Sequence, residues 1–157
     1  METKQSLKKF FMLLIIWLVT IVAVIGGSII YDQYKTSEYD ATAAPYLKRI
    51  IPELSKWDPE TTKGLMAPEV LSSIPEANFV QAMTLFSRLG TLQSIDEAEL
   101  DEVHDVQESD IGKQTLVEYN VDAKYENGDA VINLKLLPRD GSFEIYRFNI
   151  SSEILLK

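Results

Sequence analysis

The chain has 157 residues, a formal net charge of −9, 46% hydrophobic residues and no cysteine. This composition excludes a disulfide-stapled scaffold and a cysteine-based zinc site. The acidic balance argues against nucleic acid as a partner.

The first element is apolar. From Phe10 to Ile30 no side chain is charged, and Lys4, Lys8 and Lys9 stand just before the run. As a helix rising about 1.5 Å per residue, it spans roughly 31 Å, the thickness of a bilayer core. A cleaved secretory signal is the alternative, but its apolar region is about 7–15 residues long. The nearest Ala-x-Ala pattern, Ala41-Thr42-Ala43, lies beyond the charged Asp32, Lys35, Glu38 and Asp40. The expectation is a retained signal-anchor: residues 1–9 cytoplasmic, 10–30 transmembrane, the lipid bilayer as partner. With no cysteine after the run, a lipid-modified N-terminal cysteine is excluded.

The lysines put the N-terminus inside and the rest outside. Tyr31 and Tyr34 suit the outer interface. Ala23 and Gly27 form a small-xxx-small pair that lets two membrane helices approach, although small residues are common in such helices anyway. Residues 1–30 hold three Lys and one Glu, which leaves −11 for the remainder. An exterior so acidic disfavours contact with anionic lipid heads. An exported domain without disulfides fits a bacterial periplasmic or extracytoplasmic setting and must hold together by packing alone.

Residues 31–42 are polar with aromatic interruptions and read as a stalk or as a continuation of the membrane helix. The domain proper is expected over 43–157. Tyr46, Leu47, Ile50, Ile51 and Leu54 predict an amphipathic helix from Ala43 to Ser55, with Lys48, Arg49 and Glu53 opposite. Pro45 suits a first turn, and Pro52 predicts a bend. Asp58-Pro59 predicts a capped helix to about Met66, and Ala67-Pro68 ends it. Ser73-x-x-Glu76 reads as a capping box opening a third helix. Its buried stripe is Phe79, Val80, Met83, Phe86 and Leu89, with Ala82 and Leu85 beside it, and Gly90 is its stop.

Beyond Gly90 the period becomes two. One strand is expected within 92–107, on Leu92, Ile95, Ala98, Leu100 and Val103. Val117, Tyr119, Val121, Ala123 and Tyr125 alternate with polar residues in a half-buried strand. Asn127-Gly128 predicts a hairpin into Ala130, Ile132, Leu134 and Leu136. Pro138-Arg139-Asp140-Gly141 predicts the next turn. In the last strand, Phe143 and Ile145 change parity to Tyr146, Phe148 and Ile150, which predicts a β-bulge at Ile145-Tyr146. The predicted fold is α+β: three helices packed on a curved four-stranded antiparallel sheet.

Three segments, IIPELSKWDPE, FVQAMTLFSRLGTLQSID and VDAKYENGDAVINLKLLPRDGSFEIYRFNI, resemble small membrane-anchored bacterial members of the nuclear-transport-factor-2-like (cystatin-like cone) superfamily. The resemblance covers about residues 43–152. It implies a sheet wrapped around helices, leaving a cone-shaped apolar hollow. Relatives include enzymes, ligand binders and assembly parts of membrane machines, so fold alone does not choose the function.

The side chains narrow it. His104 is the single histidine and neighbours Glu102 and Asp105, a solvated position on an acidic strand; no metal site and no cofactor are expected. The acidic run of Asp96, Glu97, Glu99, Asp101, Glu102, Asp105, Glu108 and Asp110 lacks calcium-loop spacing and reads as a solvated face. Asn149-Ile150-Ser151 matches a glycosylation acceptor but lies within a predicted strand. Catalytic residues are not expected. The resemblance implies that a proton-shuffling relative would carry an acid inside its hollow. Glu118 and Asp122 fall on the polar face by parity.

Candidate pocket residues are Trp57, Phe79, Met83, Phe86, Tyr119, Tyr125, Tyr146 and Phe148, which read equally as packed core. The expectation is a non-enzymatic accessory or protein-interaction domain, with an envelope protein or a second copy as partner. A binder of a small apolar ligand or lipid, and an isomerase- or dehydratase-like enzyme, are the alternatives.

Overall fold

The computed structural model describes residues 39–108 and 112–156, together with Ile16, Trp17, Thr20 and Ile21. Those four residues are helical. The rest of the predicted 10–30 span lies outside the described residues, among which no helix is long and apolar enough to cross a membrane.

The domain begins with a helix, α1, over 39–54. It thus takes in 39–42, four residues that read above as a stalk or as a continuation of the membrane helix, and Pro45 is not in its first turn. Both prolines of α1, Pro45 and Pro52, lie on its exposed side. They are seven residues apart, two turns, so the carbonyls they leave unbonded also face water. The opposite face carries the predicted stripe: Leu47, Ile50, Ile51 and Leu54 are all buried, with Tyr46 and Ala43.

The next helix, α2 (Pro59–Lys63), is capped as expected: the Asp58 carboxylate accepts from the Thr61 amide at 2.8 Å. It ends at Gly64, earlier than predicted. Thr62 is fully buried and donates to the Met83 sulfur at 3.5 Å. A short helix not predicted from periodicity, α3 (Pro68–Leu71), follows the Ala67-Pro68 break. The capping box is absent: Ser73 Oγ donates back to the Val70 carbonyl and closes α3, and Pro75 opens α4 (Glu76–Phe86) without a side-chain cap. Phe79 and Met83 are its buried line. Val80 and Leu85 face solvent, because α4 meets the core along a narrow stripe that each residue step of about 100° soon leaves. A 3₁₀ turn (Ser87–Leu89) buries Leu89, and Gly90 ends it with φ +80°.

The sheet has five antiparallel strands, not four: β1 (Leu92–Ile95), β2 (Glu99–Glu108), β3 (Gly112–Tyr125), β4 (Gly128–Arg139) and β5 (Ser142–Ser151). The region expected to hold one strand is broken into β1 and β2, which pair with successive parts of β3; from there the order runs β3-β4-β5. The β3–β4 hairpin forms with Tyr125 opposite Gly128, so Glu126-Asn127 are the turn and the glycine begins the strand. The β4–β5 turn is Asp140-Gly141, both at positive φ, the conformation that matches strand twist. The predicted bulge is present: Lys135 pairs with Arg147 and Leu136 with Ile145, leaving Tyr146 extra. Similar irregularities at Leu92/Ser94 and Leu100/Glu102 also bend the sheet.

The inward residues of β3 and β4 read from parity are all buried, with Phe143, Ile145 and Ile150 of β5, against the α1 stripe. Tyr119 is fully buried and its hydroxyl donates to the Asp40 carboxylate at 3.0 Å. Tyr125 and Ser55, both buried, share a hydrogen bond of 2.8 Å between β3 and the end of α1. At the far end of the sheet the other face is also covered: Leu116 and Leu137 pack with Ala67.

The Ser55–Tyr125 bond gives a stability test. Ser55→Ala and Tyr125→Phe should each cost about 1 kcal/mol in chemical denaturation. The double variant should cost clearly less than the sum, since both singles remove the same bond.

Candidate functional site

The structure separates the eight candidate aromatic and methionine residues into two groups. Five of them, Phe79, Met83, Phe86, Tyr146 and Phe148, line one groove of about 460 Å³ between α3–α4 and β5. Phe79 and Met83 form its buried floor. Val70 of α3, Ala82 of α4 and the loop residues Met66 and Ile74 complete its apolar wall. Glu69, Ser73, Asn78 and Arg147 supply polar groups around it. Phe86 and Phe148 meet with ring centroids 5.9 Å apart.

Trp57, Tyr119 and Tyr125 do not line this groove. Trp57 adopts φ +56° just past α1 and donates its indole N–H to the Gly90 carbonyl at 3.2 Å. Its ring packs on Tyr125 and Phe86, at 5.5 and 6.0 Å. It clamps the end of α1 to the turn before β1. Tyr119 and Tyr125 are core residues whose hydroxyls are spent on Asp40 and Ser55. Burial pushes both phenols above their ordinary range, with the Asp40 carboxylate adding to the effect at Tyr119. Burial also raises Tyr46 to about 12.

The edge of β5 forms one wall of the groove. At Ile145 that edge is already used: Ile145 N–H donates to the Leu65 carbonyl and the Ala67 N–H donates to the Ile145 carbonyl, both at 2.9 Å. Met66 thus bridges Ile145 in parallel sense. Beyond it, among the described residues, no backbone segment pairs with the outer side of β5. Sequence reasoning missed this feature because it depends on strand order.

The carboxylates singled out from the sequence lie elsewhere. Glu118 is on the sheet face opposite the main core, as parity predicted, yet its side chain is only 13% exposed. It takes Lys135 Nζ at 2.9 Å, Asn133 Nδ2 at 2.7 Å and His104 Nε2 at 3.3 Å. Burial alone would raise its pKa, but these donors outweigh it and hold the carboxyl below the usual glutamate range. His104 is therefore part-buried between Glu118 and Glu102, 3.4 Å away, rather than simply solvated. Asp122 is exposed. The described acidic residues from Asp96 to Asp105 lie along β1–β2 and their junction, and among the described residues no cluster of three or more groups is arranged to hold a metal.

At the other end of the groove Arg139 holds Glu69 through both guanidinium nitrogens, at 2.6 and 3.5 Å, and lies 2.9 Å from Glu144. These contacts tie α3 to the β4–β5 hairpin and keep the helical wall in place. Compared with known proteins, the chain matches no protein-family model, no curated protein and no solved structure.

Two pH effects follow. The Glu118 carboxyl is depressed in the folded state, so its contribution is present above about pH 4.5 and is lost as pH falls through the folded value. Glu118→Gln should lower stability at pH 7 and flatten the acid limb of a denaturation-midpoint profile. The buried tyrosines are raised, so their contribution is present below about pH 10 and lost as pH rises through the folded value. Tyr119→Phe should reduce the loss of stability above pH 10.

Proposed function

We propose that the protein is a single-pass, membrane-tethered accessory domain of the cell envelope that acts by binding another protein, not by catalysis. On this reading residues 1–9 are cytoplasmic, 10–30 cross the inner membrane, and the domain from Tyr39 onward lies outside. The uncharged run, with Lys4, Lys8 and Lys9 before it and a net acidic stretch of Asp32, Lys35, Glu38 and Asp40 after it, supports the tether and its orientation. Ile16, Trp17 and Ile21, helical and exposed, suit a lipid-facing surface. Four helices against a bent antiparallel sheet suit a small nuclear-transport-factor-2-like domain, and that family reading belongs to the same proposal.

The observation that carries the binding role is the groove between α4 and β5, with an apolar floor and a strand edge as wall. It is open along β5, a shape suited to a length of chain more than to an enclosed small ligand. An enzymatic role of the isomerase type would need an acid in such a space. The one acid lining the groove, Glu69, is held in an ion pair by Arg139, and Glu118, Asp122 and His104 lie on the sheet's polar outer side, two of them in a hydrogen-bonded network.

The test is photocrosslinking in native membranes. A photoreactive residue at Phe148 in the full chain should yield a discrete heteromeric adduct, and the chain itself should stay with the membrane on carbonate extraction. Recovery of monomer alone at every stage of growth would refute the interaction role, and release of the chain itself by carbonate would refute the tether.

A further inference from the structure

We infer that the groove is a strand-addition site: an extended segment of a partner protein pairs with the outer edge of β5 beyond Ile145, with a carboxylate of that segment set against Arg147. This deepens the reading above and rests on it for the existence of a partner.

The two sides of the sheet are treated differently. The β1–β2 side carries Asp96, Glu97, Glu99, Asp101, Glu102 and Asp105. Charges of one sign along an edge repel an incoming strand, a common protection against unwanted pairing. From Tyr146 to Ser151 the β5 edge carries one charge, Arg147. Alternate residues of an edge strand turn their N–H and C=O away from the sheet, so residues 147–151 offer main-chain donors and acceptors that no other described backbone segment takes.

The protein demonstrates such pairing on itself. Leu65–Ala67 occupy the same edge at Ile145, with two main-chain bonds of 2.9 Å, before Pro68 turns the chain into α3. Among the described residues, no backbone segment continues that lane beside the groove. A slot bounded by an edge strand on one side and a helix on the other is a recurrent way of binding extended peptides. Main-chain bonds give affinity there, and pockets for alternate side chains give specificity. Here alternate side chains of the added strand would enter between Phe148 and the α4 residues Phe79 and Met83.

Charge selects the partner's chemistry. Arg147 lies directly opposite Lys135 in the ladder, a like-charged pair. The Lys135 ammonium is taken by Glu118, whereas Arg147 is exposed and has no ion pair among the described residues. Its fork geometry suits a carboxylate. One acidic residue at that register relieves the like-charged pair, and a longer acidic run would be repelled by the domain's own negative charge.

The probe is a fluorescent hexapeptide, acetyl-Ser-Val-Glu-Val-Ser-Val-amide, titrated against the full chain in lipid nanodiscs. Two analogues accompany it: one N-methylated at alternate amides, and one with Lys in place of Glu. N-methylation and Arg147→Glu should each weaken binding about tenfold, and the Lys analogue should regain most of that loss on Arg147→Glu. The parent peptide should also slow amide exchange over 147–151, a readout that an unfolded variant fails in its free state. Arg147→Gln provides a milder variant with the same expected direction. The inference is overturned if the parent peptide does not bind, if N-methylation leaves affinity unchanged, or if the charge swap brings no recovery. It is also overturned if the full chain alone dimerises through β5, since the occupant is then a second copy. A partner crosslinked in membranes at a surface away from β5 would sink the strand addition while leaving the tethered-module reading intact.

Discussion

The domain depends on one apolar seam. Leu47, Ile50, Ile51 and Leu54 of α1 lie on the inward side chains of β3 and β4, from Val117 to Tyr125 and from Ala130 to Leu136. With no cysteine in the chain, burial of these side chains is the main force holding helix to sheet. Polar bonds at each end, Tyr119 to Asp40 and Tyr125 to Ser55, then fix where α1 lies along the strands. A buried hydroxyl left unpaired is costly, so these two bonds choose among alignments that burial alone would nearly equate.

The groove follows from that arrangement. Because α1 covers the middle of the sheet, α4 is left to pack at the side of β5, through Phe79, Met83 and the Phe86–Phe148 contact. The bulge at Tyr146 changes which residues of β5 face the core, so Ile145 and Phe148 both point inward across the irregularity. It also divides the strand edge into a part held by Leu65–Ala67 and a part left beside α4. Arg139, gripping Glu69, ties α3 to the β4–β5 hairpin.

What could be read from the residues was what local pattern encodes. The alternation of β3 and β4, the Asp58 cap, the two hairpins and the bulge each arise within a few neighbours, and each is present. The misses share a cause. Four residues of α3 are too few to show a period, and Ser73 closes α3 rather than capping α4, which opens at Pro75. The break between β1 and β2 is imposed by pairing with β3. Trp57, Tyr119 and Tyr125 have the spacing of pocket residues and of core residues alike, and only their partners tell which they are. The β5 edge has no local signal at all, since a strand's outer side is defined by what is not beside it.

The carboxylates along β1 and β2 bear on how large an assembly can grow. Sheets that expose two compatible margins stack head to tail without end, the geometry of fibres. Here one margin is lined with carboxylates and the other is not, so among the described residues the two margins are not a matched pair through which copies would join in series. Whatever docks on the receptive margin completes the sheet there, and the stoichiometry stays finite.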